Sequence, residues 1–149
     1  MPFSIGAHPA FTLPGLFEQY SLQFAKDEPL IHYLLEGDML TEQTAQLTAD
    51  AGKLPLSYKL FDRDALVFKS LKSSYVDIIE EKKSLLRVNF SGFPYLGIWT
   101  KNNAPFICIE PWYGHADNAH NSGDLLQKEG IIMLPANGIF MCEFSISVC

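Results

Sequence analysis

Two apolar segments flank four charged residues in the stretch Tyr75-Val76-Asp77-Ile78-Ile79-Glu80-Glu81-Lys82-Lys83-Ser84-Leu85-Leu86-Arg87-Val88-Asn89-Phe90. Runs rich in β-branched and aromatic residues that end at a polar cluster are typical of β-strands joined by a hairpin. The bunched charges are expected to lie in solvent at the hairpin tip rather than on a binding surface. The stretch therefore predicts two antiparallel strands, at residues 75–79 and 84–90.

The same pattern continues on both sides of this hairpin. No run in the chain keeps a three-to-four-residue apolar period long enough to predict a helix. Further strands are predicted at 3–7, 20–24, 31–35, 56–61, 65–68, 95–100, 106–110, 130–134 and 139–148. Residues 40–54 have little β character and are predicted to form a loop. The pattern predicts an all-β fold of mainly antiparallel strands.

Length and charge narrow the class of protein further. The chain has 149 residues, which predicts one domain over residues 1–149. A hydrophobic content of 48% is typical of a folded chain rather than a disordered one. The 11 basic and 17 acidic residues give a net charge of −6 without a basic cluster. This balance argues against nucleic acid or an anionic membrane surface as a partner.

Other sequence features bear on location and redox state. The longest apolar runs are far shorter than the roughly 20 residues of a membrane-spanning helix, so no membrane span is predicted. The first residues lack the basic and apolar segments of a secretory signal, so a cytoplasmic location is expected. Three widely spaced cysteines, Cys108, Cys142 and Cys149, are predicted to be reduced thiols rather than a disulfide framework.

A histidine precedes a proline in the segment Gly6-Ala7-His8-Pro9-Ala10-Phe11. The proline forces an extended backbone at His8 and removes one hydrogen-bond donor from any strand pairing. The imidazole is therefore expected at a sheet edge or in a cleft. Because a single histidine is more often structural than catalytic, this segment alone leaves both roles open.

A glutamate ends an apolar strand in the segment Cys108-Ile109-Glu110-Pro111-Trp112-Tyr113-Gly114. Partial burial of a carboxylate raises its pKa toward the range useful for a general base. The neighbouring Trp112 and Tyr113 offer flat surfaces on which the C–H face of a sugar ring stacks. The alternative interpretation is a surface glutamate beside aromatic residues that cover the core.

Two further groups of polar residues could belong to a binding or metal site. Asp62 and Asp64 flank Arg63 at a strand start, a pattern typical of a turn with a weak surface ion pair. His115, Asp117 and His120 offer atoms that could bind a metal, but the two histidines are five residues apart in a loop, which does not fit the spacing of helical or thiolate zinc sites. The sequence therefore predicts no metal site.

Four motifs in a fixed order carry a resemblance to a known family. They are Phe3-Ser4-Ile5-Gly6-Ala7-His8-Pro9-Ala10-Phe11, Leu60-Phe61-Asp62-Arg63-Asp64-Ala65-Leu66-Val67-Phe68, Phe93-Pro94-Tyr95-Leu96-Gly97-Ile98-Trp99-Thr100 and Ile107-Cys108-Ile109-Glu110-Pro111-Trp112-Tyr113-Gly114. Together they resemble the aldose 1-epimerase (galactose mutarotase) family, in particular its bacterial LacX-like branch. In that family the histidine motif lies near the middle of the domain, so this chain resembles only the C-terminal half. The implied fold is part of a large antiparallel β-sandwich of the galactose mutarotase type.

The resemblance also implies an activity and the residues that perform it. The family interconverts the α and β anomers of a free aldose, such as a hexose, without a metal or an organic cofactor. Its motifs make His8 the catalytic acid and Glu110 the catalytic base. The implied substrate-binding residues are Asp64, with Asp62 as the alternative acid, Trp99 and Trp112.

Other functions and assemblies remain open at the level of sequence. One is a carbohydrate-binding or regulatory module without turnover, in which Trp112 or Trp99 stacks on a sugar. Another is a glycosidase that uses two carboxylates, such as Asp64 and Glu110, although the motif pairs Glu110 with a histidine. Half of a sandwich would also expose strand edges and apolar faces. We therefore expect self-association or pairing with a separate N-terminal half.

Overall fold

Short strands account for most of the regular structure in the computed structural model, which describes residues 1–118, 120 and 122–149. The strands are β1 (Pro2–Phe3), β2 (Ala10–Thr12), β3 (Tyr20–Phe24), β4 (Leu30–Glu36), β5 (Met39–Leu47), β6 (Lys53–Pro55), β7 (Leu66–Phe68), β8 (Tyr75–Glu80), β9 (Lys83–Asn89), β10 (Tyr95–Trp99), β11 (Phe106–Trp112), β12 (Ile132–Met133) and β13 (Ser145–Val148). Three 3-10 turns complete the list, at Phe17–Gln19, Tyr58–Phe61 and Leu125–Gln127. Among these described residues, no helix reaches the length and apolarity needed to cross a membrane.

The strands form two large antiparallel sheets and one small one. The larger has six strands in the order β2-β11-β10-β7-β4-β5. The second has five strands in the order β13-β9-β8-β3-β6, and β1 pairs with β12 in a two-stranded sheet. All of these strand pairs are antiparallel, which confirms the predicted all-β fold class.

The hydrophobic core lies between the two large sheets. Alternate residues of β11, Ile107 and Ile109, belong to this core, as do residues of β3 and β8 in the five-stranded sheet. The rings of Phe24 and Phe68, one from each sheet, meet edge to face at 6.0 Å between centroids. Because side chains alternate along a strand, Cys108 and Glu110 lie on the opposite face of the six-stranded sheet. That face carries the candidate site.

The hairpin predicted from residues 75–90 is confirmed. Glu80 pairs with Lys83, so that Glu81 and Lys82 form a two-residue turn at its tip. Glu81 has a φ of 52°, as the tight turns of two-residue hairpins require. Two of the four bunched charges therefore lie in the turn, and the other two, Glu80 and Lys83, are the strand residues that flank it.

The prediction of a loop over residues 40–54 is wrong, because this region contains β5 and β6. The turn Gly37-Asp38 joins β4 to β5 with positive φ at both residues, 56° and 64°. Strand β5 lies at the edge of its six-stranded sheet, next to β4. Most of its side chains are exposed or half-buried, so its composition is polar and its apolar signal is weak.

The strand predicted at 56–61 is also wrong. Strand β6 ends at Pro55, and a 3-10 turn follows at Tyr58–Phe61. Stacking of Tyr58 on Phe17, at 4.4 Å between ring centroids, holds this turn against the core. The apolar residues here therefore anchor a turn rather than a strand.

The terminal strands are shorter than predicted. At the N-terminus only Pro2–Phe3 is a strand, and Ala10–Thr12 forms an additional one. Of the predicted strands at 130–134 and 139–148, only Ile132–Met133 and Ser145–Val148 are formed. Ser145 pairs with Asn89, the last residue of β9, so residues 139–144 extend beyond the end of that strand.

Candidate active site

Two prolines shape the backbone around His8. The segment before β2 runs antiparallel to β11, since the amide of Ala7 donates to the carbonyl of Pro111 and the amide of Ile109 donates to the carbonyl of Pro9. Each of these pairs forms one backbone hydrogen bond rather than two, because proline has no amide hydrogen. His8 lies between them at the edge of the six-stranded sheet, as its sequence context predicts.

The strand register places His8 directly opposite Glu110. Ala10 pairs with Cys108, and Gly6 forms an isolated bridge with Trp112, so the same register between them sets residue 8 against residue 110. This is a pair without backbone hydrogen bonds of its own, the type in which opposing side chains lie closest. The Nδ1 atom of His8 lies 3.4 Å from Oε1 of Glu110.

The two side chains differ sharply in exposure. The side chain of His8 is 66% exposed, whereas that of Glu110 is 7% exposed. Burial raises the pKa of Glu110 above its usual value, while the charge of His8 and a hydrogen bond from Trp112 offset part of the increase. Glu110 is therefore a carboxylate poised for proton transfer, beside an accessible imidazole.

Trp112 is held by two glycines. A Cβ atom on Gly97 would overlap the six-membered ring of the indole, and a Cβ atom on Gly6 would lie 2.5 Å from its Cδ1 atom. Gly97 pairs with Glu110 on the neighbouring strand, so the indole lies across the sheet beside the glutamate. Because Gly6 and Gly97 have no side chains, the indole of Trp112 fits against the sheet, where it forms one wall of the site.

The structure brings the predicted site residues together around one cleft of about 330 Å³. Its lining residues are His8, Leu35, Asp38, Asp64, Ala65, Val67, Trp99, Glu110, Trp112 and Ala116. The volume is at the low end of the range typical of small-molecule sites. Asp62, the alternative to Asp64, is not in this lining.

Asp64 reaches the cleft from a strained turn just before β7. Its φ is 77°, in the left-handed region that aspartate tolerates better than most residues. One carboxylate oxygen accepts a hydrogen bond of 2.6 Å from the amide of Ala65, and the side chain is exposed at the cleft. The carboxylate thus has a fixed orientation and a second oxygen for a ligand.

Sequence reasoning missed two polar residues near this cleft. Asp38 lies in the β4–β5 turn, and the signal for it was the Gly37-Asp38 dipeptide between two strands. The sequence predicts Cys108 only as a reduced thiol in an apolar strand, whereas in the structure its side chain points to the same face as Glu110. Cys108 is buried, whereas Cys142 and Cys149 are exposed, and all three are free thiols as predicted.

His115 and Asp117, considered in the sequence for metal binding, bind other partners. The side chain of His115 is 2% exposed, and its Nε2 atom lies 3.2 Å from a carboxylate oxygen of Glu129. Asp117 forms an ion pair with Lys128 at 2.7 Å. His115 also borders a second hollow, whose lining includes Trp112, His8 and Glu110.

Comparisons with known proteins agree with this architecture. No protein-family model matches the chain. The chromosomal and plasmid forms of protein LacX from Lactococcus lactis subsp. lactis each align with 87% of this chain, at 37% identity. The alignment covers 46% of the length of each LacX protein. The galactose mutarotase related enzyme from Lactobacillus acidophilus superposes on 100% of the chain with a TM-score of 0.90 and 27% identity, and 52% of that enzyme is covered. A galactose mutarotase-like protein from Lactobacillus casei ATCC 334 gives a TM-score of 0.78 and 27% identity over 98% of this chain and 51% of its own.

These relatives share sequence with the chain, and the solved structures share its arrangement of sheets. The chain spans about half the length of each of them. The chain is therefore similar in sequence to about half of the LacX proteins, and its fold matches about half of a galactose mutarotase-like β-sandwich.

Proposed function

We propose that this chain carries the acid–base pair of an aldose 1-epimerase, which interconverts the α and β anomers of a free hexose. The observation that supports this function is the cross-strand pair of His8 and Glu110, 3.4 Å apart at a cleft of about 330 Å³. The names of the related proteins point to the same chemistry. The chain spans about half the length of those relatives. We therefore include in the proposal that the chain by itself accelerates the reaction.

The proposed reaction needs one base and one acid. Glu110 removes the proton of the C1 hydroxyl while His8, in its protonated form, donates a proton to the ring oxygen, so that the C1–O5 bond breaks and C1 becomes a carbonyl. Rotation about the C1–C2 bond then presents the other face of the carbonyl. Reversal of both proton transfers closes the ring as the other anomer. Each positioned proton transfer typically contributes about 10²–10⁴ in rate.

The remaining lining residues hold the sugar in this proposal. Trp112, fixed between Gly6 and Gly97, offers a flat surface to the C–H face of the ring. Trp99 lies in the same lining and supplies a second aromatic surface. Asp64 accepts hydrogen bonds from sugar hydroxyls with the carboxylate oxygen that Ala65 does not engage.

The burial of Glu110 favours catalysis over binding alone. Glu110 is buried, and its pKa is raised by that burial. Such perturbed groups concentrate at sites of proton transfer, which is why we rank the carbohydrate-binding module second.

We also propose where the protein works. Its three cysteines are unpaired, and two of them are exposed. Exposed free thiols persist in a reducing compartment, so we place the protein in the cytoplasm.

Strand β13 carries an exposed apolar surface that could pack against another polypeptide. Ile146 pairs with the core residue Val88, so Ile146 and Val148 lie on the inner face of the five-stranded sheet. They are nevertheless 46% and 85% exposed. We propose that this face packs against a polypeptide equivalent to the half of LacX that the chain does not match.

The first test replaces Glu110 with glutamine. Glu110→Gln keeps the shape of the side chain and an acceptor for Trp112, but it removes the base, so mutarotation of α-D-galactose should slow by about 10²–10⁴. Because the raised pKa means that ionised Glu110 destabilises the folded state, the melting temperature at pH 7 should be unchanged or higher. Polarimetry and thermal unfolding measure the two effects, on the chain alone and mixed with the complementary half of LacX.

The matched control is Glu42→Gln, at an exposed position of β5. It should change neither the rate nor the melting temperature. An accelerated mutarotation that survives Glu110→Gln would contradict the assignment of the base.

The second test concerns the glycine beneath Trp112. Gly97→Ala should displace the indole, because the new methyl group overlaps it, and should remove the response of Trp112 to galactose. The measurement is tryptophan fluorescence in a Trp99→Phe background, in which Trp112 is the only tryptophan.

Gly37→Ala serves as the control for this test. No atom lies within 4 Å of a Cβ at that position, so the change adds only the strain of a positive φ. Equal emission and equal quenching in the two variants would show that Gly97 does not position Trp112.

The third test addresses pairing. The half of Lactococcus lactis LacX that the chain does not match should co-elute with the chain in size-exclusion chromatography. Val148→Asp should abolish the complex, because it places a charge on the apolar face that the complex would bury. Leu16→Asp, at a leucine that is 65% exposed outside β13, should leave it intact. A complex that tolerates Val148→Asp would place the interface elsewhere.

A further inference from the structure

A thiol lies next to the proposed catalytic pair. Cys108 and Glu110 are two residues apart on β11, so their side chains point to the same face of the sheet. Cys108 also pairs with Ala10 on β2, two residues beyond His8. One ligand atom from each of His8, Cys108 and Glu110 lies within 4.8 Å of the other two.

This set of atoms matches the preferences of a particular class of metal ion. An imidazole nitrogen, a thiolate and a carboxylate oxygen are the ligands of zinc, whereas magnesium and calcium prefer oxygen alone. Zinc–ligand bonds of about 2.0–2.3 Å in a tetrahedral arrangement place ligand atoms roughly 3.3–3.8 Å apart. The pair of His8 and Glu110 already satisfies this spacing at 3.4 Å. His8 is largely exposed, so its ring is free to adjust toward Cys108.

We propose that His8, Cys108 and Glu110 form a three-ligand site for a zinc-class divalent ion, with the fourth position open to the cleft. Three protein ligands and one open position are typical of accessible zinc sites. The bound ion occupies both groups that move protons in the proposed reaction, so it inhibits that reaction. Inhibition rests on the proposed function, whereas binding of the ion does not.

Burial separates Cys108 from reagents in solution, whereas Cys142 and Cys149 are exposed. A zinc-class ion binds the thiolate form of a cysteine, so it displaces the thiol proton when it binds. Alkylation of the metal-free protein should be confined to Cys142 and Cys149, because only these two thiols are exposed.

The binding test uses cobalt(II), which reports thiolate ligation by a charge-transfer absorption band. The starting protein is the full chain with Cys142→Ser and Cys149→Ser, which removes the two exposed thiols. Titration should give one equivalent of bound cobalt with the thiolate band, and zinc should displace it. Adding Cys108→Ser should abolish the band and weaken binding by more than about tenfold, since even changes outside the ligand set cost that much. Cys108→Ala, with circular dichroism as a check on folding, repeats the test without a hydroxyl group.

Two outcomes would overturn the site. One is an unchanged band after loss of Cys108, and the other is the absence of any thiolate band in the starting protein. A second measurement separates this inference from the proposed function. Zinc should inhibit mutarotation by the starting protein and lose at least tenfold in potency against the Cys108→Ser form. A protein that binds cobalt through Cys108 but does not accelerate mutarotation would contradict the proposed function and leave the metal site intact.

Discussion

The register between the N-terminal segment and β11 is the constraint on which the candidate site depends. It sets His8 against Glu110 in a pair whose backbone atoms are not bonded to each other, so their side chains come within 3.4 Å. The flanking pairs keep one hydrogen bond each because Pro9 and Pro111 lack an amide hydrogen. A shift of one residue would turn the imidazole to the other face of the sheet and separate the two groups.

Side chains alternate along β11, so one face of the six-stranded sheet packs into the core and the other carries the candidate site. Ile107 and Ile109 pack into the core, while Cys108, Glu110 and Trp112 project to the other side. Burial on that side raises the pKa of Glu110, and the space above Gly97 accommodates the indole of Trp112. One strand therefore supplies core packing, the proposed base, an aromatic wall and a thiol.

Local sequence was most informative where a strand or turn pattern contains residues of distinctive chemistry, such as bunched charges or a histidine before a proline. The hairpin at residues 75–90 was predictable because its charges bunch at the turn. His8 was a candidate because a proline follows it, Glu110 because it ends an apolar strand, and both because they lie in motifs that resemble those of the family. Sequence was least informative at β5, whose wet edge position gives it a polar composition, and at residues 56–61, where apolar side chains anchor a turn. Strand alternation places Cys108 on the same face as Glu110, but its position beside His8 depends on long-range strand register, which no local pattern contains.

The most direct test of this account is the carboxyl titration of Glu110, followed by carbon-13 NMR in the native chain and in His8→Ala. We predict a pKa above the usual glutamate value in the native chain, because burial outweighs the neighbouring charge and the hydrogen bond from Trp112. Removal of His8 deletes the charge that lowers it, so the pKa should rise further in the variant. An ordinary pKa that does not change when His8 is removed would show that the two side chains do not form the pair described above.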